Sequence, residues 1–463
     1  MEPTVLVMAA GEGTRMRSSL PKVLHPVCGR PMVAWPVLAA REAGVGRIAV
    51  ISSPGRDLSS GLPEGTETVI QPEADGTGGA IRAAIDLVRD AETVVVLSGD
   101  HPLISADVIG ALLAAHDAAG AAATVMTTML ERPDSYGRIV RDPAGDLERI
   151  VEAKAAGDAT HDELQIREVN TGTYAFAAAP LADAISQIGN DNAQGEYYLG
   201  DVLPLLRANG QRVAAHLVAD QAVCLGVNTR VDLARAEAEA RRRILERHML
   251  AGVTIADPGS TWVDADVEIA ADARIEPATT LRGATAVGAG SVIGPLTTLI
   301  DSTLGRDVSV PHSYLVRCAV LDGCNVGPFA HIRPETVLEE GAKAGSFVEI
   351  KKSTVGKGAK VPHLIYVGDA DVGAGANLGA GTITANYDGI RKHRTVIGEN
   401  ANLGVDTMLI APVEVGESAY TGGGSVITED VPPGSLGIAR VPQENVEGFA
   451  ERKAAEAEQE KGS

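Results

Sequence analysis

The hydrophobic residues of this chain follow two different periods, and the change from one to the other falls near residue 229. In the first half, short β-branched runs alternate with stretches whose apolar residues recur at helical spacing. This alternation predicts a mostly parallel sheet that helices cover on both faces. The predicted strands are Thr4–Met8, Arg47–Ser52, 93–97 and Ala123–Met129, and the predicted helices are 31–43, 79–89 and Ala106–Ala119.

A long helix is predicted where the period changes. Thr229 and Asp232 have the spacing of a capping box, which marks the start of a helix. The Ala/Arg/Glu-rich run that follows continues through Leu245 without glycine or proline and ends before Gly252. We therefore predict a first domain at 1–231, a helical linker at 232–252, and a second domain at 253–463 that ends in a charged tail.

The second half repeats every six residues. Seven aliphatic residues, each six positions after the previous one, run from Val263 to Leu299. The same period returns at 320–338, 355–367 and 397–415. Neither a helix nor a hairpin sheet keeps a period of six, whereas a triangular coil with six residues on each face does. The array resembles the hexapeptide repeats of an all-β left-handed parallel β-helix, a departure from the usual right-handed crossover.

Two details of this array point to a site. The period is interrupted between Gly381 and Thr395, so we expect the segment 384–393 to leave the coil as a loop, and such excursions commonly carry function. Arg333 and Lys351 are 18 residues apart, which is three hexads or one full turn of the coil. Their side chains should therefore stack on the same face.

Composition and charge narrow the function classes. The formal net charge of −21 makes a nucleic-acid or anionic-membrane partner unfavourable, and aromatic residues at 3% make base stacking an unfavourable main mode of recognition. The chain shows no apolar stretch of the length that a membrane helix needs. We expect a soluble cytoplasmic protein with free thiols, because its cysteines show neither CxxC pairs nor zinc-like spacing. These cysteines are Cys28, Cys224, Cys318 and Cys324.

The residues after the first predicted strand have the composition of a phosphate cradle. The run from Met8 to Met16 is neither the dinucleotide fingerprint nor a P-loop, but its small residues allow backbone N–H groups to approach a triphosphate. Arg15 and Lys22 supply positive charge that the acidic chain lacks on average. The alternative is a plain glycine-rich turn with solvated basic residues.

Asp100 follows a strongly apolar predicted strand, at the carboxyl edge of the predicted sheet. A carboxylate in that place can hold Mg²⁺ beside a phosphate. The alternative for Asp100 is a helix N-cap ahead of Pro102.

These residues carry a resemblance to a known family. The runs AAGEGTRM, PKVLH, QPEADGTGGA, SGD, YGRIV, EVNTG and LGVN are similar to those of sugar-1-phosphate nucleotidylyltransferases. Together with the hexapeptide array, the chain resembles the bacterial bifunctional N-acetylglucosamine-1-phosphate uridylyltransferase/glucosamine-1-phosphate N-acetyltransferase family, in all but the tail after about Glu447. The resemblance implies a Rossmann-like α/β nucleotidyltransferase domain, joined by the long helix to the β-helix.

For the first domain, the resemblance implies that the sugar phosphate attacks the α-phosphorus of UTP in line and that pyrophosphate leaves. It implies that Asp100 and Asn228 bind Mg²⁺, although a helix cap is the alternative role for Asn228 and a turn for Gly137. Ser98 departs from the tyrosine usual in the family, so a ring contact is lost there. The implied UTP and UDP-N-acetylglucosamine ligands are Met8, Ala9, Ala10, Gly11, Arg15, Lys22, Gln71, Gly76, Thr77, Ser98, Gly99, Asp100, Gly137, Glu152, Asn170 and Asn228.

For the second domain, the resemblance implies acetyl transfer from acetyl-CoA to an amine. A protonated amine needs a base, and His363 is the base that the family match indicates; a structural histidine is the alternative. Val405 and Gly423 stand where the family often has serine and alanine, and Arg391 where it has asparagine. The implied glucosamine-1-phosphate ligands are Arg333, Lys351, Tyr366, Asn377 and Lys392. The implied acetyl-CoA ligands are Ala380, Asn386, Tyr387, Val405, Gly423 and Arg440.

The sequence therefore predicts a bifunctional cytoplasmic enzyme of peptidoglycan precursor synthesis. It acetylates glucosamine-1-phosphate with acetyl-CoA and then transfers UMP from UTP, with Mg²⁺ as cofactor and without a nucleic-acid or membrane partner. The resemblance also implies a homotrimer with CoA between neighbouring coils. Two alternatives remain at this point: a single-activity nucleotidylyltransferase with a non-catalytic β-helix, and a non-catalytic scaffold that binds nucleotide-sugars.

Overall fold

The structure is a computed structural model that describes residues 3–153, 159–192 and 195–461. The chain forms two compact units. One runs up to Arg247 and includes Val263–Asp266, and the other comprises His248–Trp262 and the chain from Val267 onward. The predicted domain limits at 231 and 252 stay a prediction beside this division.

The first unit is built on a twisted mixed sheet. Its central strands are β-branched runs that are buried on both faces, as expected for strands covered by helices on each side. The strand Glu168–Ala177 is antiparallel to both of its neighbours, whereas the other pairs along the main path are parallel. In sheet order, the strands are Val213–Leu217, Ala123–Met129, Glu168–Ala177, Thr93–Ser98, Thr4–Met8, Arg47–Ser52 and Glu67–Ile70, with Arg138–Arg141 and Leu147–Val151 beside Glu168–Ala177 and the hairpin Pro26–Val27 and Arg30–Pro31 apart.

The helices of this unit largely follow the predicted pattern. The predicted helix 31–43 begins later, at Ala34, because Pro31 belongs to a short hairpin. The predicted helix 79–89 is two helices, since the backbone leaves helical geometry at Ala84. The α-helices are Ala34–Glu42, Thr77–Ala83, Ile85–Arg89, Ala106–Ala119, His161–Leu164, Ala178–Ile185 and Val202–Ala208, and the 3₁₀ turns are Thr14–Met16, Lys22–Leu24, Ser59–Gly61, Leu199–Asp201 and Gln221–Cys224.

The long helix Arg230–Leu250 begins at the predicted capping box. The Thr229 backbone N–H donates to the Asp232 carboxylate at 2.8 Å, and the Asp232 N–H donates to the Thr229 hydroxyl at 3.2 Å. Two backbone donors that the helix itself leaves unpaired are thereby satisfied. A second helix, Phe449–Lys461, lies in the exposed tail.

The second unit is a β-helix with three walls of short parallel strands. The first wall contains Thr254–Ile255, Arg274–Ile275, Val292–Ile293, Ser309–Val310, Asn325–Val326, Lys343–Ser346, Lys360–His363, Asn377–Leu378, Asn402–Leu403, Tyr420–Thr421 and Leu436–Gly437. The second wall contains Trp262–Val263, Thr280–Arg282, Thr298–Ile300, Tyr314–Val316, His331–Ile332, Glu349–Lys351, Tyr366–Gly368, Ile383–Ala385, Met408–Ile410 and Val426–Ile427. The third wall contains Glu268–Ile269, Ala286–Val287, Thr303–Leu304, Ala319–Val320, Val337–Leu338, Thr354–Val355, Ala370–Val372, Thr395–Ile397 and Val413–Val415.

The six-residue period is confirmed as the core of this coil. The hexad aliphatics from Val263 to Val415 all point inward, and each is less than one-tenth exposed. Small hydroxyl residues four positions later, such as Thr279 and Ser291, are fully buried and bond to backbone carbonyls of the coil. Burial of an aliphatic side chain at one position of each hexad therefore stabilises the walls. At another position, a hydroxyl group forms hydrogen bonds with the backbone.

The break in the period is shorter than the sequence predicted. Ile383–Ala385 still forms a strand of the second wall, paired with Met408–Ile410, and Thr384 is fully buried. The chain leaves the coil at Asn386 and rejoins it at Thr395. Thr384 stays because its hydroxyl accepts a hydrogen bond from the Gly368 N–H at 2.7 Å, which ties it to the turn below.

The remaining sequence expectations concern thiols and membranes. All four cysteines are free, as predicted, and the structure shows that each is buried. Among the described residues, none of the helices combines the length and hydrophobicity that crossing a bilayer requires.

The inward-pointing hexad aliphatics allow a prediction about stability. Leu299→Ala removes a fully buried side chain from the narrow core, so we expect the free energy of unfolding of the second unit to fall by about 2–5 kcal/mol. Urea denaturation followed by circular dichroism measures this change. The control is Leu321→Ala, where the side chain is 41% exposed and the loss should stay within about 0.5 kcal/mol. Equal losses in the two variants would contradict the inward orientation of the hexad aliphatics.

Candidate functional site

The first site is a cleft of about 550 Å³ where the parallel strands Thr4–Met8 and Thr93–Ser98 end side by side. Ten residues predicted from the sequence line it. They come from the ends of these two strands, from the 3₁₀ turn that starts at Lys22, and from the segment between the strand Glu67–Ile70 and the start of the helix at Thr77. They are Met8, Ala9, Ala10, Gly11, Lys22, Gln71, Gly76, Thr77, Ser98 and Asp100. The sequence pattern therefore located the cleft, because the carboxyl ends of neighbouring parallel strands meet at one edge.

Close backbone approach shapes this cleft at two glycines. The Gly99 N–H donates to the Met8 carbonyl at 2.9 Å, and a Cβ on Gly99 would lie 3.1 Å from that oxygen. Gly76 has a φ of +101°, and a Cβ there would lie 2.6 Å from the Tyr197 carbonyl oxygen. Gln71 is buried and donates to Asp75 at 2.7 Å and to the Gly76 carbonyl at 3.1 Å, which fixes the turn before the helix.

Four predicted polar residues converge beside the cleft. The Lys22 Nζ lies 2.5 Å from Asp100 Oδ2 and 3.3 Å from Asn228 Oδ1, and Arg15 donates to the same Asn228 oxygen at 2.9 Å. Burial by itself raises the pKa of Asp100, but the neighbouring charges of His101 and Lys22 outweigh it and hold that pKa below its usual value. This is the local island of positive charge that an acidic chain needs in order to bind phosphate.

The structural alternatives for Asp100 and Asn228 do not hold. The helix Ala106–Ala119 has Ser105 as its N-cap, and the helix Arg230–Leu250 has the capping box at Thr229. Both side chains are thus left to face Lys22.

The same pair of oxygens fits a hard divalent cation. Asp100 Oδ2 and Asn228 Oδ1 both lie within 3.3 Å of one cationic nitrogen, so they converge on one point. Carboxylate and amide oxygens are ligands that Mg²⁺ accepts, with phosphate and water completing its shell. Within the described ranges, no cluster of three or more His, Cys, Asp or Glu side chains offers a closed metal site.

The predicted sugar-binding residues form a second group in this unit. The Asn170 N–H donates to the Gly137 carbonyl at 2.9 Å, and the Asn170 side chain donates to the Tyr174 hydroxyl at 2.7 Å. Burial raises the pKa of that tyrosine, and the carboxylate of Glu152 adds to the rise. Gly137, Glu152 and Asn170 are therefore neighbours, although none of them lines the cleft.

Several cleft residues were missed by the sequence analysis. Glu12, Val23, Ala74, Ala80 and Glu196 line the cleft as well. Arg56 donates to the Gly11 carbonyl at 2.6 Å and to the Glu12 carbonyl at 3.3 Å, so it ties back the glycine-rich turn. No sequence signal marks Arg56, because its role depends on a loop that folds over from the next strand.

The second site begins with cations on the second wall of the β-helix. The Arg333 N–H donates to the Ile350 carbonyl at 2.8 Å, so Arg333 and Lys351 stack on successive coils as the 18-residue spacing predicted. Lys392, in the loop, lies close to both, and the proximity of Lys351, with a smaller contribution from the charge of Arg333, lowers the pKa of Lys392. The three cations form one cluster.

Asp369 anchors this cluster and was missed. Its Oδ2 accepts from Lys351 Nζ at 3.2 Å and from Asn386 Nδ2 at 2.5 Å. Burial raises the pKa of Asp369, but these hydrogen bonds and the charges of Lys351 and Lys392 outweigh burial and keep the group ionised. The 18-residue spacing does not mark it, because this coil is 17 residues long: Lys351 pairs with Gly368, and Asp369 follows at the corner.

The Tyr366 hydroxyl lies at the same edge of the coil, next to Gly368. A Cβ on Gly368 would collide with the Tyr366 hydroxyl and lie 2.8 Å from Asn386 Nδ2, so the glycine makes room for both polar groups. The cluster thus combines three cations with a phenol and an amide, a set that suits a phosphorylated sugar.

His363 is the first of a row of residues that stack on successive coils of the first wall; we call this row the His363 column. Lys360, Asn377, Asn402 and Tyr420 pair in register on successive coils. Three positions after each of them lie His363, Ala380, Val405 and Gly423, which therefore stack along one edge. The Arg440 guanidinium donates to the Gly423 carbonyl at 2.9 Å and extends the column. Four of the predicted acetyl-CoA residues lie in line with the predicted base.

One chain does not bring the base and the cations together. His363 ends a strand of the first wall, whereas Lys351 ends a strand of the second wall. The strand Tyr366–Gly368 spans the distance between these two edges of the coil. Asn377 also lies on the first wall, where its side chain donates to Asn402 at 3.2 Å.

The loop that carries Lys392 is a small closed hairpin. Tyr387 bridges to Lys392 across it, and the Asp388 carboxylate accepts from the Ile390 and Arg391 N–H groups at 2.7 and 2.6 Å. His393 also contacts this carboxylate at 2.7 Å, and these donors lower the pKa of Asp388 to about 2. Asp388 is a further residue that the sequence analysis missed.

Comparisons with known proteins find similar chains that cover both units. The model of the MobA-like NTP transferase domain family matches residues 5–250. A protein named Bifunctional protein GlmU from Kineococcus radiotolerans is 47% identical, over 98% of this chain and 94% of that protein. The proteins of the same name from Mycobacterium tuberculosis and Shouchella clausii are 45% and 46% identical, over 98% and 96% of this chain and 93% and 98% of their own lengths. The similarity therefore extends over both units.

The conformation of Gly76 allows a prediction about the stability of the first unit. Gly76→Ala places a methyl group against the Tyr197 carbonyl at a positive φ, so the free energy of unfolding of the first unit should fall by about 1–3 kcal/mol. Thermal unfolding measures the change. In the control Gly110→Ala, a Cβ meets open space on the helix Ala106–Ala119, and the unit should gain up to about 1 kcal/mol. A Gly76→Ala protein as stable as the parent would refute the close approach.

Proposed function

The chain belongs to the family of bifunctional GlmU proteins, whose two activities are uridylyl transfer and acetyl transfer in UDP-N-acetylglucosamine synthesis, and on that premise we propose which residues perform each reaction. The chain is an enzyme with both activities. The observation that supports the residue assignment is that most members of each predicted set lie together: one group at the strand ends of the first unit, and the others along two edges of the β-helix.

In uridylyl transfer, the first cleft binds UTP and the sugar phosphate. The backbone N–H groups of Ala9 to Gly11, together with Arg15 and Lys22, bind the phosphates and neutralise the charge that develops in the in-line step. Gln71, Gly76 and Thr77 contact uracil and ribose. Gly137, Glu152 and Asn170 orient the acetylated sugar. The protein contributes position and charge rather than a nucleophile.

The family uses Mg²⁺, and Asp100 with Asn228 would hold it here. When bound, the ion neutralises charge on the phosphate oxygens. Lys22, which faces both oxygens, lies where it can turn from the carboxylate to a phosphate.

In acetyl transfer, His363 takes the proton from the substrate amine, whose nitrogen then forms the amide bond to the acetyl carbon. The thioester bond breaks, and His363 passes the proton to the departing sulfur, so that CoA leaves as its thiol. A backbone N–H near Ala380 stabilises the oxyanion that forms on the acetyl oxygen. Arg333, Lys351 and Lys392 bind the phosphate of glucosamine-1-phosphate.

The separation of His363 from these cations supports a homotrimer. Because one chain holds the base and the cations on different edges of the coil, the acetyl site is complete only when a second copy brings its cations to His363. Hexapeptide acyltransferases of this family are trimers, and a cyclic trimer places the same two edges together at each contact. Asn377 and the column at Ala380 then bound a cleft between copies in which CoA binds.

The other two sequence hypotheses are now disfavoured. Relatives that cover nearly the whole chain are named as bifunctional, which leaves little room for a single activity or a scaffold without catalysis. We place the enzyme in the cytoplasm, where four unpaired thiols remain reduced.

The two sites should fail independently. His363→Ala should lower acetyl transfer by about 10²–10⁴-fold, because the amine loses its base, and leave uridylyl transfer intact. Asp100→Ala should lower uridylyl transfer by about 10²-fold or more and leave acetyl transfer intact. Release of free thiol and of pyrophosphate measures the two rates. A parallel loss of both activities in folded protein would refute the assignment.

Mixed trimers test whether two copies share the acetyl site. His363→Ala keeps the cations, and Lys392→Ala keeps the base, so each variant alone should be nearly inactive in acetyl transfer. Co-expressed and co-purified, they should regain about one quarter of the parent activity, because about a quarter of random contacts pair two intact halves. The control mixes the two variants after each has assembled. No gain on co-expression would show that each chain contains a complete site.

A further inference from the structure

The side-chain amide of Gln71 is held in one orientation by its neighbours. Its Nε2 donates to Asp75 Oδ1 at 2.7 Å and to the Gly76 carbonyl at 3.1 Å, and the residue is 3% exposed. An ionised carboxylate and a backbone carbonyl both accept hydrogen bonds and donate none. If the amide turned over, its oxygen would face these two acceptors, so the orientation with Nε2 toward Asp75 is the one that the contacts enforce.

Asp75 has room for this contact because residue 79 is a glycine. A Cβ on Gly79 would collide with the Asp75 carboxylate. The backbone of the same turn is fixed by Tyr197, whose N–H donates to the Asp75 carbonyl at 2.7 Å and whose carbonyl accepts from the Gly78 N–H at 2.7 Å. The Asp75 carboxylate therefore occupies a defined place in a turn with little freedom.

The donor half of the Gln71 amide is thus used inside the protein, and the acceptor half is left for a ligand. Gln71 lines the first cleft, and among the described residues its side-chain hydrogen bonds are those made by Nε2. Its Oε1 can accept from a ring N–H of a bound base, whereas it repels a ring nitrogen that presents a lone pair. Uracil carries a hydrogen on N3, and cytosine has a lone pair there.

We propose that Asp75 is a positioning residue that makes the first cleft select uracil over cytosine, because it holds the Gln71 amide with its oxygen toward the base. This inference rests on the proposed binding of UTP with Gln71 at the base. Asp75 acts through Gln71 rather than on the base itself. The selection comes from the mismatch with cytosine, since two acceptors that face each other in a buried site both lose a partner.

The test compares UTP with CTP in the parent and in Asp75→Asn, with N-acetylglucosamine-1-phosphate as the second substrate. Asparagine has the shape of aspartate, but its Nδ2 can donate to Gln71 Oε1, so the glutamine amide can turn over and present its own Nε2 to cytosine. Pyrophosphate release gives kcat/KM for each nucleotide. We expect the parent to prefer UTP by about 10²-fold or more, and Asp75→Asn to lower this preference by about tenfold.

Two further variants separate the position of the carboxylate from its charge. Gly79→Ala displaces the Asp75 carboxylate without removing its charge and should also lower the preference for UTP. The control Glu73→Gln removes an exposed carboxylate from the same segment and should keep the preference within about twofold. Acetyl transfer, which takes place on the second unit, should stay within about twofold in every variant and reports that the protein is folded.

A merely structural role for Asp75 predicts that the rates with UTP and with CTP fall together and that their ratio keeps the parent value. That result, or a parent without preference between the two nucleotides, would overturn the inference. Gln71→Ala shows what else would be lost. If the ratio changes in Gln71→Ala but not in Asp75→Asn or Gly79→Ala, only the role of Asp75 is refuted. If Gln71→Ala leaves both rates unchanged, Gln71 does not contact the base, and that part of the proposed function is refuted as well.

Discussion

The hexad aliphatics that point into the core determine which side chains of the second unit face outward. Each wall is too narrow to bury more than a few side chains, so residues such as Ile350 and Val367 must point into the core. The side chains next to them must then point outward. Lys351 follows Ile350, Arg333 follows Ile332, and the two cations are thereby forced into one row. The chemistry of the edge is a consequence of how the core is filled.

The two units solve the problem of binding phosphate in different ways. The first gathers small residues at the ends of parallel strands, where Gly99 and the turn at Gly76 bring backbones close and Lys22 and Asp100 meet. The second uses repetition instead, since equivalent positions recur once per coil. In both units the cations are concentrated locally, which is how a chain of net charge −21 binds anionic substrates.

Repetition also imposes a cost. A straight coil keeps its edges apart, so a row at one corner and a row at another do not meet in the same chain. The loop that carries Lys392 relieves this only on the cation side, where Asp369 and Asn386 tie it down. The imidazole of His363 and those cations therefore stay on different edges of one chain.

The sequence by itself determined the period of each half, the strands at Thr4–Met8 and Ala123–Met129, the start of the long helix, and the stacking of Arg333 on Lys351, because these follow from local spacing. It missed the antiparallel strand Glu168–Ala177, the break at Ala84, and the retention of Thr384 in the coil, which depend on partners far along the chain. Only the tertiary structure showed that Arg56 holds the glycine-rich turn, that Asp369 anchors the cations, and that His363 lies on a different edge. Periodicity fixes which way a side chain points, whereas its neighbours are decided by the packing of distant segments.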